Sequence, residues 1–281
     1  MKDNLSYLFT SKCLQDLFSG ELFKIKQYYK KCNIQNKDIV SVADFYDFGY
    51  KSLLKSYPNE YVFKNLITQK ILIGKHSLKS SALFAELRIL NSKVDVAIFN
   101  GTSYAYEIKT EFDNFNKLKK QLDNYKKVFE YINIVTVESK LKCLKKILQY
   151  DDNIGILILT NKRTLSTIKK AQSNLDNIDN SYLFSLLHKI EYLKIIKKHC
   201  GYVPNVPNTQ IYDVCKELFI NLPIETTFKE TVNIMKQRKK NINLMSYIDK
   251  IPDFMKVVVV DKNLSLMEQE NVLSVLEKQI V

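Results

Sequence analysis

Three residues in one short segment, Asp95, Glu107 and Lys109, have types and a spacing that could do chemistry. They lie in KVDVAIFNGTSYAYEIKTEFD (93–113), where two short stretches alternate apolar and polar residues as β-strands do. A charged side chain within such a strand costs free energy unless a metal ion, a partner charge or water satisfies it. The segment therefore predicts either a solvated sheet face or an active site.

The relative orientation of the two acids depends on the number of residues in the loop between their strands. Side chains alternate between the faces of a sheet, so a two-residue loop would place Asp95 and Glu107 on opposite faces. A three-residue loop at 99–101, with Gly101 in the left-handed conformation, restores the parity. Asp95 would then lie opposite Ala105, with Glu107 one diagonal step away. An active site here requires an odd number of loop residues or a compensating bulge.

The preceding hairpin adds charges to the same face. A two-residue turn at Asn91 and Ser92 pairs Arg88 with Asp95. Glu86 then lies on that face too, because side chains two residues apart in a strand point the same way. We therefore expect one charged face and one apolar face on this sheet.

Two carboxylates on one sheet face repel each other unless a cation neutralises them. Lys109 supplies part of this charge, and a hard divalent ion, Mg²⁺ or Mn²⁺, supplies more. We expect carboxylate ligands from Asp95 and Glu107 and a carbonyl ligand from Ile108. Such an ion stabilises developing charge on a phosphodiester and activates water, while Lys109 orients that water or holds the phosphate. The predicted chemistry is phosphodiester hydrolysis.

The composition favours an acidic partner, nucleic acid above all. The formal net charge is +13 over 281 residues, and lysines gain affinity for nucleic acid by releasing counterions from its phosphates. The alternative is a coding bias toward A and T, because the chain is rich in Asn and Ile and poor in Arg. The residues expected to contact the backbone are Arg88, Lys117, Lys119 and Lys120. Against this, a helix can carry lysines on its outer face simply for solubility.

The spacing of the cysteines and the length of the apolar segments indicate in which cell compartment the protein is expected. The five cysteines are scattered without CxxC spacing, which indicates reduced thiols and argues against a zinc site. The longest apolar runs are far shorter than the ~20 residues that cross a bilayer. We expect a soluble, cytoplasmic protein without a membrane segment.

Apolar periodicity predicts an α/β protein of the α+β type, with a mixed sheet between helical flanks. Alternation predicts an antiparallel meander with strands at 82–89, 94–99 and 103–109. A helix with an apolar stripe follows, and then strand, helix and strand, which implies parallel pairing of the strands at 131–137 and 154–160. The predicted segments are a helical N-terminal extension (1–56), a core (57–160) and a helical C-terminal region (161–281).

Together these residues resemble the PD-(D/E)XK, or restriction-endonuclease-like, nuclease superfamily. Its motif is an acid at a strand start and then acid-x-lysine on the next strand, here Asp95 and Glu107-Ile108-Lys109. The strings YEIKTEFDNFNKLKKQLDNYKKVFEYINIVT and NEYVFKNLITQKILIGKHSL are similar to a bacterial and phage family of nuclease-like proteins of uncertain role within it. The resemblance covers residues 57–160 and implies a restriction-endonuclease-like core.

The resemblance also implies roles for five residues: Asp95 and Glu107 as metal ligands, Lys109 as the catalytic lysine, Gln121 as an accessory site residue and Glu86 as a further acid. Gln121 and Tyr125 are four residues apart on a helix and can share a surface. The alternative is an ordinary exposed glutamine and a core tyrosine.

The chain departs from the family pattern in one respect, because Val94 stands where the founding motif has proline. In many relatives the extra acid comes from the first helix, where Glu60 competes with Glu86.

The expected function is that of a metal-dependent nuclease acting on DNA. The alternatives are a catalytically silent nuclease-fold module that holds nucleic acid or a partner protein, and a structural protein whose charged face is solvated. Three roles are open for the helical flanks: DNA binding, homodimer contacts and docking of a partner protein.

Overall fold

The computed structural model describes residues 5–34, 38–75, 77–149, 151–240 and 244–280. Within them the chain has a mixed α/β fold with helices flanking a mixed sheet, as predicted. The sheet has six strands in the order β1-β2-β3-β4-β5-β6. The strands are β1 (Ala82–Ile89), β2 (Ser92–Phe99), β3 (Ser103–Ile108), β4 (Tyr131–Val137), β5 (Gly155–Leu159) and β6 (Leu165–Lys169). The α-helices are α1 (Ser11–Ser19), α2 (Leu22–Cys32), α3 (Val42–Ser56), α4 (Glu60–Ile67), α5 (Leu118–Lys126), α6 (Glu138–Ile147), α7 (Asn180–Ser185), α8 (Lys189–Cys200), α9 (Ile211–Ile220), α10 (Ile224–Arg238), α11 (Leu244–Ile248), α12 (Lys256–Lys262) and α13 (Leu266–Glu277).

The chain divides into two compact units that differ from the three predicted segments. One unit comprises 1–79, 160–165 and 241–281, and the other comprises 80–159 and 166–240. The helices of 166–240 therefore belong to the same unit as most of the sheet, because packing rather than order along the chain decides the grouping.

The first unit is helical and its core is aromatic. Tyr46 is fully buried and stacks on Phe254, with ring centroids 5.7 Å apart. The side chain of Asn65 joins distant parts of this unit: its Nδ2 donates to the Phe254 carbonyl at 2.8 Å, and its Oδ1 accepts from the Val257 amide at 2.9 Å. A buried amide that both donates and accepts in this way holds α4 against the start of α12.

The sheet combines an antiparallel meander with two parallel crossovers. β1, β2 and β3 pair antiparallel, whereas β3, β4 and β5 pair parallel through α5 and α6. Both arrangements confirm the predictions, because parallel neighbours need a crossover connection whereas antiparallel ones need only a turn. β6 falls where helix was predicted. Its sequence LSTIK lacks regular alternation and its side chains are half-buried or exposed, so its pattern carries little strand signal.

α5 packs on the sheet by the apolar stripe that its sequence predicted. Leu118, Leu122 and Tyr125 are buried on this helix, in the same core as Ala97 and Ala105 of the sheet. The two alanines are opposite each other in β2 and β3. Small residues at this point leave room for the larger side chains of α5, so the helix lies over the face that carries Asp95 and Glu107.

Within the described ranges, no helix is both long and apolar enough to cross a membrane.

Candidate active site

The loop between β2 and β3 has three residues, 100–102, because Phe99 pairs directly with Ser103. The prediction of an odd number is confirmed, although the loop lies one residue later than 99–101. Gly101 has φ of +67°, the left-handed conformation predicted for it and the one that glycine adopts at least cost.

This loop places Asp95 and Glu107 on one face of the sheet. Ala97 pairs with Ala105. Asp95 and Glu107 each lie two residues along the strand from one of these alanines, so their side chains share that face. Asp95 was predicted opposite Ala105. The one-residue difference in loop position moves every pair by two residues, which preserves the face on which the two acids lie.

The Asp95 carboxylate lies at the end of the β2–β3 ladder. The last backbone pair at this end is Val96 with Tyr106, and a continued ladder would bring Ile108 opposite Val94. Instead the Ile108 amide donates to Oδ2 of Asp95 at 2.7 Å. In a regular strand the N–H and C=O of one residue point to the same neighbour, so the Ile108 carbonyl also faces the Asp95 side of β3.

Glu107 is the centre of a buried polar network and is only 1% exposed. Its Oε1 accepts from Nζ of Lys109 and from Nε2 of Gln121, each at 2.6 Å. Its Oε2 lies 2.7 Å from the Tyr125 hydroxyl, whose one proton is shared between Glu107 and the Lys93 carbonyl, also 2.7 Å away. A buried carboxylate requires this degree of pairing, because an unsatisfied charge in the interior is costly.

Lys109 is fixed through its backbone and its side chain. Its amide donates to the Val135 carbonyl at 2.9 Å, and its carbonyl accepts from the Thr136 hydroxyl at 2.6 Å. Nζ also donates to Oε1 of Gln121 at 3.1 Å. The side chain is 11% exposed, so this cation lies at the solvent edge of the network around Glu107.

α5 positions both Gln121 and Tyr125. They are four residues apart and therefore share one surface of the helix, and both contact Glu107. The shared surface was predicted, and Gln121 is half-buried rather than an ordinary exposed glutamine. Burial raises the pKa of the Tyr125 hydroxyl, and the negative charge of Glu107 raises it further. Tyr125 therefore stays protonated and acts as a hydrogen-bond donor.

The hairpin of β1 and β2 differs from its predicted register. Ile89 pairs with Ser92, so the turn consists of Leu90 and Asn91 rather than Asn91 and Ser92. The predicted pairing of Arg88 with Asp95 is therefore wrong. Arg88 instead lies opposite Lys93 and is exposed.

Glu86 lies in β1 at a backbone irregularity. Its φ is +56°, which is rare for a residue other than glycine, and the backbone pairs on either side of it are Ala85 with Val96 and Leu87 with Val94. Its carboxylate forms an exposed ion pair with Lys93 at 2.5 Å. The competing acid, Glu60, forms an ion pair with Lys64 one turn along α4.

The predicted nucleic-acid contacts on α5 lie on its surface. Lys117 precedes the helix, Lys119 and Lys120 lie in its first turn, and all three are exposed. That turn contains no acid. Lysines at this end of a helix gain nothing from the helix dipole, which favours anions there, so their placement is compatible with a bound anion.

Sequence reasoning missed the hydrogen bonds of two residues. The sequence predicted Tyr125 as a core residue or as a surface neighbour of Gln121, but its hydroxyl contacts Glu107. The four-residue spacing between Gln121 and Tyr125 was the one feature of the sequence that indicated this contact. Thr136 bonds to Lys109 only because β3 and β4 pair in one particular parallel register. Nothing in the local sequence indicates that contact.

The oxygen atoms at this site are of the type that binds a hard divalent ion with few protein ligands. In the parts of the chain that the structure describes, no three His, Cys, Asp or Glu side chains form a cluster that could hold a metal ion. The remaining donors are the carboxylates of Asp95 and Glu107 and the Ile108 carbonyl, all of them oxygen. Mg²⁺ typically keeps several waters and binds through one or two carboxylates, so this set fits Mg²⁺ or Mn²⁺.

The fold and the site define a mixed α/β protein in which an acid–lysine network lies at the end of a central strand. The chain belongs to the bacteriophage P4 protein cII family, whose model matches residues 54–251, more than half of its length. Neither a curated protein nor a solved structure matches the chain.

Proposed function

We propose that this chain is a metal-dependent nuclease of the PD-(D/E)XK type, which hydrolyses phosphodiester bonds, with DNA as the favoured substrate and the cytoplasm as its location. One observation carries the proposal. At the end of β3, Lys109 pairs with Glu107 at 2.6 Å, and Asp95 accepts a hydrogen bond from the amide of Ile108, the residue between them. These are the residue types that phosphodiester hydrolysis needs.

Each residue has a separate part in the proposed reaction. Asp95, Glu107 and the Ile108 carbonyl would hold Mg²⁺ or Mn²⁺, which stabilises the charge that develops on the phosphate and activates water. Lys109, at the solvent edge, orients the attacking water or holds the phosphate. Gln121 and Tyr125 keep Glu107 in place through the hydrogen bonds to its two oxygens.

The test is cleavage of supercoiled, linear and single-stranded DNA and of RNA, with Mg²⁺, with Mn²⁺ and with EDTA. Asp95→Asn is the most informative variant, because its amide oxygen can still accept from Ile108 while the negative charge is removed. We expect metal-dependent cleavage that falls by about 10²- to 10³-fold in Asp95→Asn. Lys109→Ala should lose activity as well, with folding checked by circular dichroism.

The matched control is Asp123→Asn, which changes an exposed acid on α5. It should cleave like the wild type. Wild-type protein that cleaves none of these substrates with either metal, or Asp95→Asn that cleaves at the wild-type rate, would contradict the proposal.

A second candidate is a catalytically silent module with the same fold that binds nucleic acid or a partner protein. The observation in its favour is that both oxygens of Glu107 already accept hydrogen bonds. A mobility shift that persists in EDTA, without cleavage in any metal, would support this module over the enzyme.

A further inference from the structure

Phe112 is a large aromatic side chain exposed near the candidate active site. Its side chain is 64% exposed, and it follows Lys109 by three residues. Three residues span at most ~11 Å even when fully extended. That distance corresponds to about three stacked nucleotides at 3.4 Å each along one strand. A phosphate at Lys109 would therefore have bases within reach of the Phe112 ring.

A tight turn fixes the position of Phe112. The amide and hydroxyl of Thr110 each donate to Oδ2 of Asp113 at 2.7 Å, and the Asp113 amide donates back to the Thr110 carbonyl at 3.3 Å. Glu111 and Phe112 are the two central residues of this turn, and both are exposed. The aromatic ring is thus presented by a closed turn, which reduces the entropy lost when a ligand orders it.

Cations lie beside this turn, on α6 and on the segment that follows the turn. Lys140 donates to the Asp113 carbonyl at 2.8 Å, and its Nζ lies 5.9 Å from the centre of the Phe115 ring. Lys117, Lys119 and Lys120 are exposed a few residues further along. The segment therefore has an exposed aromatic residue at the turn and positive charge beyond it. Proteins that bind single-stranded nucleic acid combine these two features.

We infer that Phe112 stacks on a base of single-stranded nucleic acid, so that the substrate class is single-stranded or locally unpaired rather than intact duplex. Bases in a duplex are stacked on one another and cannot offer a face to a side chain without being unstacked. The inference rests on the proposed function only for the position of the scissile phosphate. Stacking itself requires no cleavage.

The test measures binding in EDTA, so that neither a metal ion nor cleavage contributes. The probes are a fluorescein-labelled oligothymidine of about 15 nucleotides and a hairpin duplex of the same length, followed by anisotropy. Phe112→Ala should weaken single-strand binding by about 5- to 150-fold, the range expected for loss of one stacked base. Duplex binding, carried by the lysines, should change less than twofold.

The matched control is Phe23→Ala, because Phe23 of α2 is 71% exposed. It should leave single-strand affinity unchanged. A second variant, Phe112→Trp, reports on stacking directly, because the natural chain contains no tryptophan. Its fluorescence should be quenched by the oligothymidine, whereas that of Phe23→Trp should not.

Three results would overturn the inference: wild-type protein that does not bind the oligothymidine, Phe112→Ala that binds it within twofold of the wild type, or equal losses for single strand and duplex. Equal losses would favour a general contribution to folding or charge. If Phe112 contributed only to binding a protein partner, Phe112→Ala would likewise leave the affinity for single strands unchanged. Failure of the proposed nuclease is a separate outcome, because absence of cleavage in Mn²⁺ with intact Phe112-dependent binding leaves this inference standing.

Discussion

The carboxylate of Asp95 accepts a hydrogen bond from the backbone amide of Ile108 at 2.7 Å, at the point where the β2–β3 ladder ends. The Asp95 side chain thus takes the place of the Val94 carbonyl, which would accept from the Ile108 amide if the ladder continued. The bond is charge-assisted, so it orients the carboxylate as well as closing the end of the strand pair. Asp95 therefore has a structural role that is separable from the proposed one in metal binding.

Substitutions at Asp95 should separate these two roles. Asp95→Ala leaves the Ile108 amide without its acceptor and should lower the free energy of unfolding by about 1–3 kcal/mol. Asp95→Asn keeps an acceptor oxygen and should cost less than half as much. Urea denaturation of both variants measures the difference, and equal losses would show that the hydrogen bond contributes little.

Metal binding should stabilise the protein through the same carboxylate. A ligand that binds only the folded state stabilises it by about 2.7 kcal/mol at a hundred times its dissociation constant. Mn²⁺ should therefore raise the melting temperature of the wild type but not that of Asp95→Asn, and EDTA should reverse the increase. Calorimetric titration gives the affinity. An equal increase in both proteins would place the ion elsewhere.

Lys109 and Glu107 form a buried ion pair, so the contribution of each residue to the free energy of unfolding depends on the other. Lys109→Met leaves the Glu107 charge with neutral donors only and should cost about 3–5 kcal/mol. Adding Glu107→Gln should recover part of this loss, because the uncompensated charge is then removed. A double-mutant cycle by chemical denaturation measures the coupling. Simple additivity of the two losses would contradict the buried pair.

Tyr125 should make stability sensitive to alkaline pH. Its pKa is raised in the folded state above the ordinary value near 10, so the folded protein holds a proton that the unfolded chain loses. The contribution is fully present below about pH 10 and declines above it, by at most about 1.4 kcal/mol per pH unit. Denaturation between pH 8 and 11 should show a shallower decline in Tyr125→Phe. The control Tyr202→Phe, at an exposed site, should decline like the wild type.

Gly101 allows a test of the loop that sets the parity of the site. A β-carbon at this position would meet no atom within 4 Å, so substitution there costs only backbone strain at φ +67°. Gly101→Val should destabilise by about 1–2 kcal/mol, and Gly101→Asn by less, because asparagine tolerates the left-handed region. Thermal unfolding ranks the variants. A Val variant as stable as the wild type would mean that the loop adopts another conformation.

Local pattern was sufficient for much of the fold. The alternation of β1, β3 and β4 predicted their positions, the apolar stripe of α5 predicted its buried face, and Gly101 indicated a left-handed loop residue. These features depend on neighbours within a few residues, where side-chain periodicity and steric preferences act directly. The spacing of Gln121 and Tyr125 belongs to the same class, because four residues make one helical turn.

Register and long-range contacts depended on the tertiary structure. The turn between β1 and β2 lies one residue earlier than predicted. Arg88 therefore pairs with Lys93 instead of Asp95, because a one-residue shift of the turn moves every strand pair by two. β6 carries too little pattern to be distinguished from its helical surroundings. The residue types Asp95, Glu107 and Lys109, and the need for an odd loop, were determined by the sequence alone. Only packing decided that Asp95 would bond the Ile108 amide and that Tyr125 would reach Glu107, because these contacts join segments that local preferences leave independent of one another.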